Sequence, residues 1–568
     1  MVAIGSVIRH APQATHSLVI QYITDSSDQT STVFAISLAS IQSTRNDMVS
    51  LLPKIEKSLN SKRACIFALV LGFPISIACF ASATLIRHHH RLGAMPLDLS
   101  TTSTEILALV VNVILTLLMD GLAYIHATSL RWALYGERRL EFNTNIRLLR
   151  SSRQSLPNKW YSNAISLLCL ILCYAGTSTL FIATTSTGDF QKCAVRCTNL
   201  NAMAIYALGF GLLGQSVIGA WSMIYKPSRI LTWSSNPMNT TLAALHDSTN
   251  HQPRRCMLSV QQSTLQSGPV FPKRVQSSAA SLGRSVRALL ILTWVIALLA
   301  VIWTFTIVFV TWNQLRVNQG DWSDHWRFSL NWNLVYVYQG DGRGGIRNES
   351  RNDVALFMTP SYNNAGPYYP LLTQYILAIL FICGIQGVQT IGTHCVELLV
   401  NMSRDEDIWR RANTYTAASQ RAFNSGAQVT SNPFFSALTS WQNVIYFIMK
   451  AVLHWLFGQG VIPLLDIGQY VPSISFDMVY GRLFVYAIAA TAFACFATYL
   501  AYHKPSGCQP AAWGHIQTLA NLVDDWNMDS SGRLWWGDKG CTSDGFRHAG
   551  TSNGPLSLGK IRMDSMYA

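Results

Sequence analysis

Residues 447–460 read FIMKAVLHWLFGQG, an apolar run with Lys450 and, one helical turn later, His454 inside it. A membrane helix holds a cation and a titratable imidazole only at a cost, so what these side chains meet, and whether the run crosses or turns back, decides the threading of the chain.

The surrounding sequence has the same character. The 568 residues are 49% hydrophobic and only 12% charged, with a mean hydropathy of +0.22, which is too apolar for an ordinary soluble protein of this size. A net charge of +14 would suggest nucleic acid in a soluble chain. Here the Lys and Arg residues cluster between apolar spans, as cytoplasmic loops of membrane proteins do, and no nucleic-acid partner is expected.

At 1.5 Å rise per residue, crossing the hydrocarbon takes about 20 apolar residues. Segments 64–86, 104–130, 160–186, 201–225, 288–312, 371–400 and 483–503 meet this requirement. The opening stretch lies in another, 441–465, which also holds Gly458, Gly460 and Pro463 and fits either a full span or a broken, re-entrant one. The expected fold is an all-α polytopic membrane protein with about eight transmembrane helices over 64–503. An N-terminal cytoplasmic segment (1–63) precedes it and a cytoplasmic tail (504–568) follows. No basic start, apolar core and cleavage site open the chain, so the first span is expected to act as the insertion signal.

The basic residues set the orientation. The loop RWALYGERRLEFNTNIRLLRSSRQSLPNK carries seven Lys/Arg against two Glu, and residues 226–287 carry eight against one Asp. Both are expected to be cytoplasmic, which puts both termini inside and 313–370 outside. The RHHHR run at 87–91 then falls outside, against the charge rule. Within the outward loop, FSLNWNLVYVY alternates large apolar residues as a half-buried strand does, giving a small Trp-rich loop of β character. Asn348-Glu-Ser follows as a glycosylation acceptor. The sequons at Asn239 and Asn401 would be cytoplasmic and unused. Twelve cysteines are scattered; Cys193 and Cys197 are the pair expected to form a disulfide if their loop faces outward. In the tail, Ile516, Leu519, Leu522 and Val523 share a helical stripe that would lie against the membrane or the cytoplasmic loops. GRLWWGDKG is expected to form a hairpin before a mobile terminus, and 261–281, rich in Ser, Gln and Pro, is expected to be disordered.

In IQGVQTIGTHCVELLVNMSRDE (385–406), AVLHWLFGQ (451–459), GHIQTLANLVDDW (514–526), GRLWWGDKG (532–540) and RHAGTS (547–552), the chain resembles a group of uncharacterised multi-pass membrane proteins of filamentous fungi. RRLEFNTNIRLLRSS and the Trp-rich outward segment are similar too. The resemblance spans roughly residue 104 to the end. It implies a fungal integral membrane protein of the plasma membrane or an endomembrane, and it assigns no activity, cofactor, catalytic residue or binding residue.

Polar residues inside the spans fall on stripes. At 100° per residue, Gln389, Thr390, Thr393 and Glu397 lie within about 60° of Gln386. Asn112, Thr116 and Asp120 recur every fourth residue in the second span, and Asn443, Lys450 and His454 share a face in the opening stretch. Lipid does not accept such faces, so the three helices are expected to meet in the bundle interior. Asp120 and Lys450 lie at similar depths, roughly 5 Å from the middle of their spans, and are expected to pair. Glu397 belongs nearer the interface.

Other motifs do not hold. GQSV at Gly214 lacks the following glycine of a serine intramembrane protease. HCVE at His394 has no second His/Glu pair to complete a two-metal site. DDWNMDSSG lacks the sixth-place glycine and twelfth-place glutamate of a calcium loop. No metal or cofactor is expected. The composition leaves a non-enzymatic membrane protein whose stripes serve packing or passage of a small solute or ion, a membrane-embedded enzyme acting on an apolar metabolite, or a scaffold with the bilayer and the tail's contacts as its partners.

Overall fold

The computed structural model describes residues 55–145, 149–186, 197–247, 249–263, 268–317, 353–357, 370–413, 426–429, 440–467 and 472–568. Cys193, Asn348 and the alternating stretch 328–338 lie outside the described residues, as does the side chain of Cys197.

The long helices are α1 (Leu59–His89), α2 (Thr101–Gly136), α3 (Trp160–Ser178), α4 (Ala202–Ile224), then α6 (Arg284–Val317), α7 (Leu371–Arg410), α8 (Trp441–Gly460) and α9 (Tyr480–Tyr502); α5 (Pro237–Asp247) and α10 (Ile516–Leu522) are shorter. Seven of them, all the long helices but α8, are long and apolar enough to cross a membrane, so the chain is an integral membrane protein. Large apolar residues such as Phe67, Leu168, Phe210, Ile291 and Phe305 cover their outer faces, as lipid contact requires. α3 and α4 approach closely at Gly211, where a Cβ would stand 2.7 Å from the Cys169 carbonyl oxygen, the close packing that small residues permit between membrane helices.

Several expected boundaries are displaced. The span expected over 160–186 stops being helical at Ser178, and Phe181–Ser186 is strand β2. The segment 441–465 is one unbroken helix to Gly460, followed by strand β6 (Val461–Ile467) that contains Pro463. α7 runs ten residues past its expected end at 400, to Arg410. In the first two cases the backbone groups leaving the helix find other partners, which is the condition for leaving a helix near hydrocarbon.

Those partners form a six-stranded sheet in the order β1 (Ala94–Leu97), β3 (Cys197–Asn201), β2, β6, β7 (Ser473–Val479), β4 (Asp353–Phe357). The β character expected within one loop is thus shared among several inter-helix segments. β2 leaves α3 and β6 leaves α8, and the two pair in parallel with Ala183 opposite Leu464. β7, which enters α9, pairs antiparallel to β6 with Val461 opposite Met478. Parallel exit strands mean that α3 and α8 point the same way. Gln374, in the first turn of α7, is buried and accepts from the Ile474 amide at 3.0 Å.

At the other end of the helices, the tail packs onto the loops. The Glu406 carboxylate accepts the Ala512 and Trp513 amides at 2.9 and 2.8 Å and pairs with Arg410 at 2.9 Å. Trp409 Nε1 donates to the Pro510 carbonyl at 2.8 Å. α10 lies against α5, not against lipid, with Gln517 Nε2 on the Asn250 carbonyl and His251 on that of Ala520. The hairpin of β8 (Arg533–Cys541) and β9 (Arg547–Ser552) forms, with the short strand β5 (Ala427–Gln428) along β8, but the residues after it are seated as well: Tyr567 is 1% exposed. Much of the segment expected to be disordered is seated too, through Gln276 N on the Pro505 carbonyl and Trp513 Nε1 on that of Ser277. Asp525 and Asp529 cap nearby amides at Asn527, Ser531 and Arg533, a turn that uses the carboxylates a calcium loop would offer.

Burial pushes the His515 imidazole down to about 4, and its Nδ1 accepts the Thr518 amide at the start of α10, a role the protonated ring cannot fill. The folded value lies below the ordinary one, so this contribution is intact above pH 6.5 and is lost as pH falls from there toward 4. Limited proteolysis of the tail should accelerate over that window in the wild type. The change should be flatter in His515→Asn, which keeps a capping group but does not titrate.

Candidate functional site

Asn112, Thr116 and Asp120 on α2, the stripe of α7, and Lys450 and His454 on α8 converge with a fourth helix, α3. At the centre, Lys450 Nζ donates to Asp120 Oδ1 at 2.5 Å. The lysine side chain has no exposed surface, whereas that of Asp120 is 37% exposed. The ammonium also lies 5.7 Å from the centroid of the Tyr446 ring, a favourable cation–π placement. The pairing follows from α8 leading with Trp441 at the tail end: about two and a half turns later Lys450 stands at the depth of Asp120 on the neighbouring helix.

One turn further, His454 stacks flat on Tyr174, with centroids 3.6 Å apart and planes 4° from parallel. Its tautomer follows from the hydrogen-bond chain. Ser178 Oγ donates to the Tyr174 carbonyl at 3.0 Å, so it accepts from Gln386 Nε2 at 2.7 Å. That turns Gln386 Oε1 toward His454 Nδ1 at 2.8 Å, and Nδ1 must carry the hydrogen. His454 Nε2 is therefore a lone-pair acceptor. It has no hydrogen-bond partner although the residue is fully buried, while the Tyr174 hydroxyl faces the Thr116 side chain.

The remaining stripe residues separate. Thr116 Oγ1 bonds back to the Asn112 carbonyl at 2.7 Å, and Asn112 Oδ1 accepts from Thr177 at 3.2 Å. Gln389 turns toward α9, accepting from Tyr486 at 2.8 Å. Thr393 bonds back to the Thr390 carbonyl at 3.0 Å. Glu397 meets His394 Nδ1 at 2.7 Å and the Tyr446 hydroxyl at 3.4 Å. Gln386 and Lys450–Asp120 thus line the inner part of the seam, and Glu397 its end nearer the tail.

Sequence reasoning missed the α3 wall of Tyr174, Thr177 and Ser178, although their spacing at i, i+3 and i+4 is a stripe signal. It also missed a second ion pair toward the sheet. Arg482 Nη2 meets Glu105 at 2.6 Å while Nη1 donates to Gln459 Oε1 at 2.9 Å. An apolar groove of about 370 Å³ between α6 and α9, lined by Val301, Phe305, Phe484, Ile488 and Cys495 among others, lies outside the seam.

Comparison with family models, curated proteins and solved structures finds no match, so the site is read from its geometry.

Removing one partner of a buried ion pair leaves an uncompensated charge. Asp120→Asn should lower the stability of the detergent-solubilised protein by about 3 kcal/mol. Combining it with Lys450→Met should recover most of that loss, measured as a thermal shift; a double variant no better than the single would show the two side chains to be uncoupled.

Proposed function

We propose that this chain is a non-enzymatic, multi-pass membrane protein that passes a proton or small ion along the seam of Asp120, Lys450, Tyr174, His454 and Gln386. The observation that carries this reading is the unpartnered, fully buried acceptor His454 Nε2, beside a buried ammonium whose carboxylate partner is partly exposed. A bare acceptor in hydrocarbon surroundings costs free energy unless something visits it. The hydrogen-bonded residues around it, Gln389 with Tyr486 and Asn112 with Thr177, serve as packing.

The reading includes eight crossings. The parallel pairing of the strands that leave α3 and α8 supports α8 as a full crossing, and with it an even number of spans. The charge distribution then supports cytoplasmic termini and tail, and an outward sheet end that carries the Asn348 sequon and the Cys193 and Cys197 loop. The runs from residue 385 onward support a place among the fungal multi-pass proteins, with the bilayer as the principal partner.

Reconstituted into vesicles with an entrapped pH-sensitive dye and an imposed proton gradient, the wild type should dissipate the gradient faster than empty vesicles. Asp120→Asn and His454→Asn should bring the rate back to that of empty vesicles. Equal rates for wild type and both variants would exclude proton passage; the same vesicles loaded with alkali cations test the ion alternative. Orientation has its own readout: Asn348→Gln should abolish an endoglycosidase-sensitive mobility shift in a eukaryotic host, and a wild type without that shift would count against the outward placement.

A further inference from the structure

A second cluster of chemical groups lies in the tail. Asp524 Oδ1 accepts the Thr551 amide at 2.7 Å, and Oδ2 meets Lys539 Nζ at 2.7 Å and His548 Nε2 at 3.1 Å. Gly550 makes this possible, because any Cβ there would collide with the Asp524 carboxylate. On the opposite side of the imidazole, His548 Nδ1 stands 3.1 Å from the Ala568 oxygen. Cys256 Sγ donates to that same oxygen at 3.1 Å, and the Ala549 amide points at the sulfur from 3.5 Å. The imidazole also faces the Cys256 thiol directly. The hydrogen bond to Asp524, followed by that to Cys256, holds His548 up at about 10. Burial alone would raise Asp524, but the His548 and Lys539 donors outweigh it and keep the carboxyl well below its usual range.

What occupies this cluster is an extended peptide. Residues 566–568 lie between two strands: Arg547 N donates to the Met566 carbonyl and Ala568 N to the Arg547 carbonyl, each at 3.0 Å, while Val270 and Tyr567 exchange both backbone bonds at 3.0 Å. Tyr567 anchors the segment, donating to Asp538 Oδ2 and accepting from the Arg562 amide, both at 2.9 Å. The residue after that aromatic anchor presents its carbonyl oxygen to the thiol and the imidazole.

We infer that Cys256, His548 and Asp524 are a thiol nucleophile, its base and the orienting carboxylate of a site for acyl transfer from extended peptides, in which residues 566–568 sit as such a peptide would. Nucleophile, base and orienter are in the relation that covalent catalysis requires. Among the described residues no three His, Cys, Asp or Glu groups could hold a metal ion, so the cluster is not a metal cage. In the reaction the Cys256 thiolate attacks the carbonyl carbon at the Ala568 position and a C–S bond forms. The amide C–N bond breaks, and the amine leaves with the imidazolium proton. Water then hydrolyses the thioester, giving one proton to the imidazole, and releases the thiolate and a peptide carboxylic acid, which loses its proton to solvent.

The site is 2% exposed at Cys256, so it must be opened to be tested. Two openings of the full-length protein serve: deletion of 566–568, and Tyr567→Ala, which removes only the anchor. Iodoacetamide labelling at pH 6.5, read at Cys256 by peptide mass spectrometry, should rise in both. Adding His548→Ala should reduce it by about tenfold, because the thiol then lacks the imidazole that takes its proton. The titratable groups facing His548 are Asp524 and Cys256, with Lys539 across Asp524, so the pH profile of labelling is followed in His548→Ala and Asp524→Asn together. The opened protein should also cleave N-acetyl-Tyr-Ala-aminocoumarin amide, and its Cys256→Ala form should not. If the deletion unfolds the tail, the single substitution Tyr567→Ala serves, and N-acetyl-Tyr-Ala chloromethyl ketone added to it should modify Cys256 in preference to the exposed Cys495 and Cys541. An ordinary thiol profile independent of His548, no turnover by a folded opened protein, or labelling only at the exposed cysteines would overturn the assignment and leave the cluster as a clamp for residues 566–568.

Discussion

An ammonium ion with no surface left to water persists inside a membrane bundle only where a carboxylate meets it, and much of this architecture follows from how Lys450 meets Asp120. Their 2.5 Å contact fixes the depth of α8 against α2. With that depth fixed, His454 arrives one turn later at the face of Tyr174 on α3, and Gln386 on α7 closes the chain of hydrogen bonds through Ser178. Four helices are thereby registered by polar contacts, which is valuable where lipid contact supplies no hydrophobic preference for one partner over another. Apolar packing then fills the remaining space, as with Tyr446, Phe457, Tyr486 and Phe493 in the largest core cluster.

The stripes on α2, α7 and α8 were legible because helix periodicity is local: a side chain's direction follows from its position in the sequence. Depth was legible for the same reason, and it pointed Lys450 to Asp120. The α3 wall was harder to see because Tyr174 counts as apolar in a hydropathy profile, yet here it supplies both a stacking face and a buried hydroxyl. The boundary at Ser178 was lost because Phe181–Ser186 is apolar enough to prolong a span, and only its pairing with β3 and β6 makes it a strand. The β6 pairing joins residues hundreds apart in the chain, which no local pattern contains. Arg482 and Glu105 went unnoticed for a related reason: each lies at the start of its helix, where a charge looks like an interfacial residue.

The loop before α6 shows the opposite error. Composition alone marks residues 261–281 as a segment too polar to bury a core of its own. It is ordered because other parts of the chain use its backbone: Trp513 needs a carbonyl for its indole and finds Ser277, while Pro505 offers one that Gln276 takes. The same holds at Cys256, which reads as one cysteine among many until His548, Asp524 and Ala568 are brought beside it by strand pairing. Chemistry assembled from four distant positions leaves no spacing signature.

α7 joins the two ends of the molecule. Its 40 residues extend about 60 Å, twice the thickness of the hydrocarbon core, so about half must project beyond it. Gln374 holds strand β7 at one end, Gln386 and Glu397 stand in the seam, and Glu406 binds the Ala512 and Trp513 amides at the other end. Glu397 and Glu406 are nine residues apart, about 14 Å along one continuous hydrogen-bonded helix. A helix of this kind shifts or rotates more readily than it stretches. Any rearrangement of α7 that changes what Glu397 contacts must therefore also move the carboxylate on which the tail is docked, and the seam and the tail are mechanically one system.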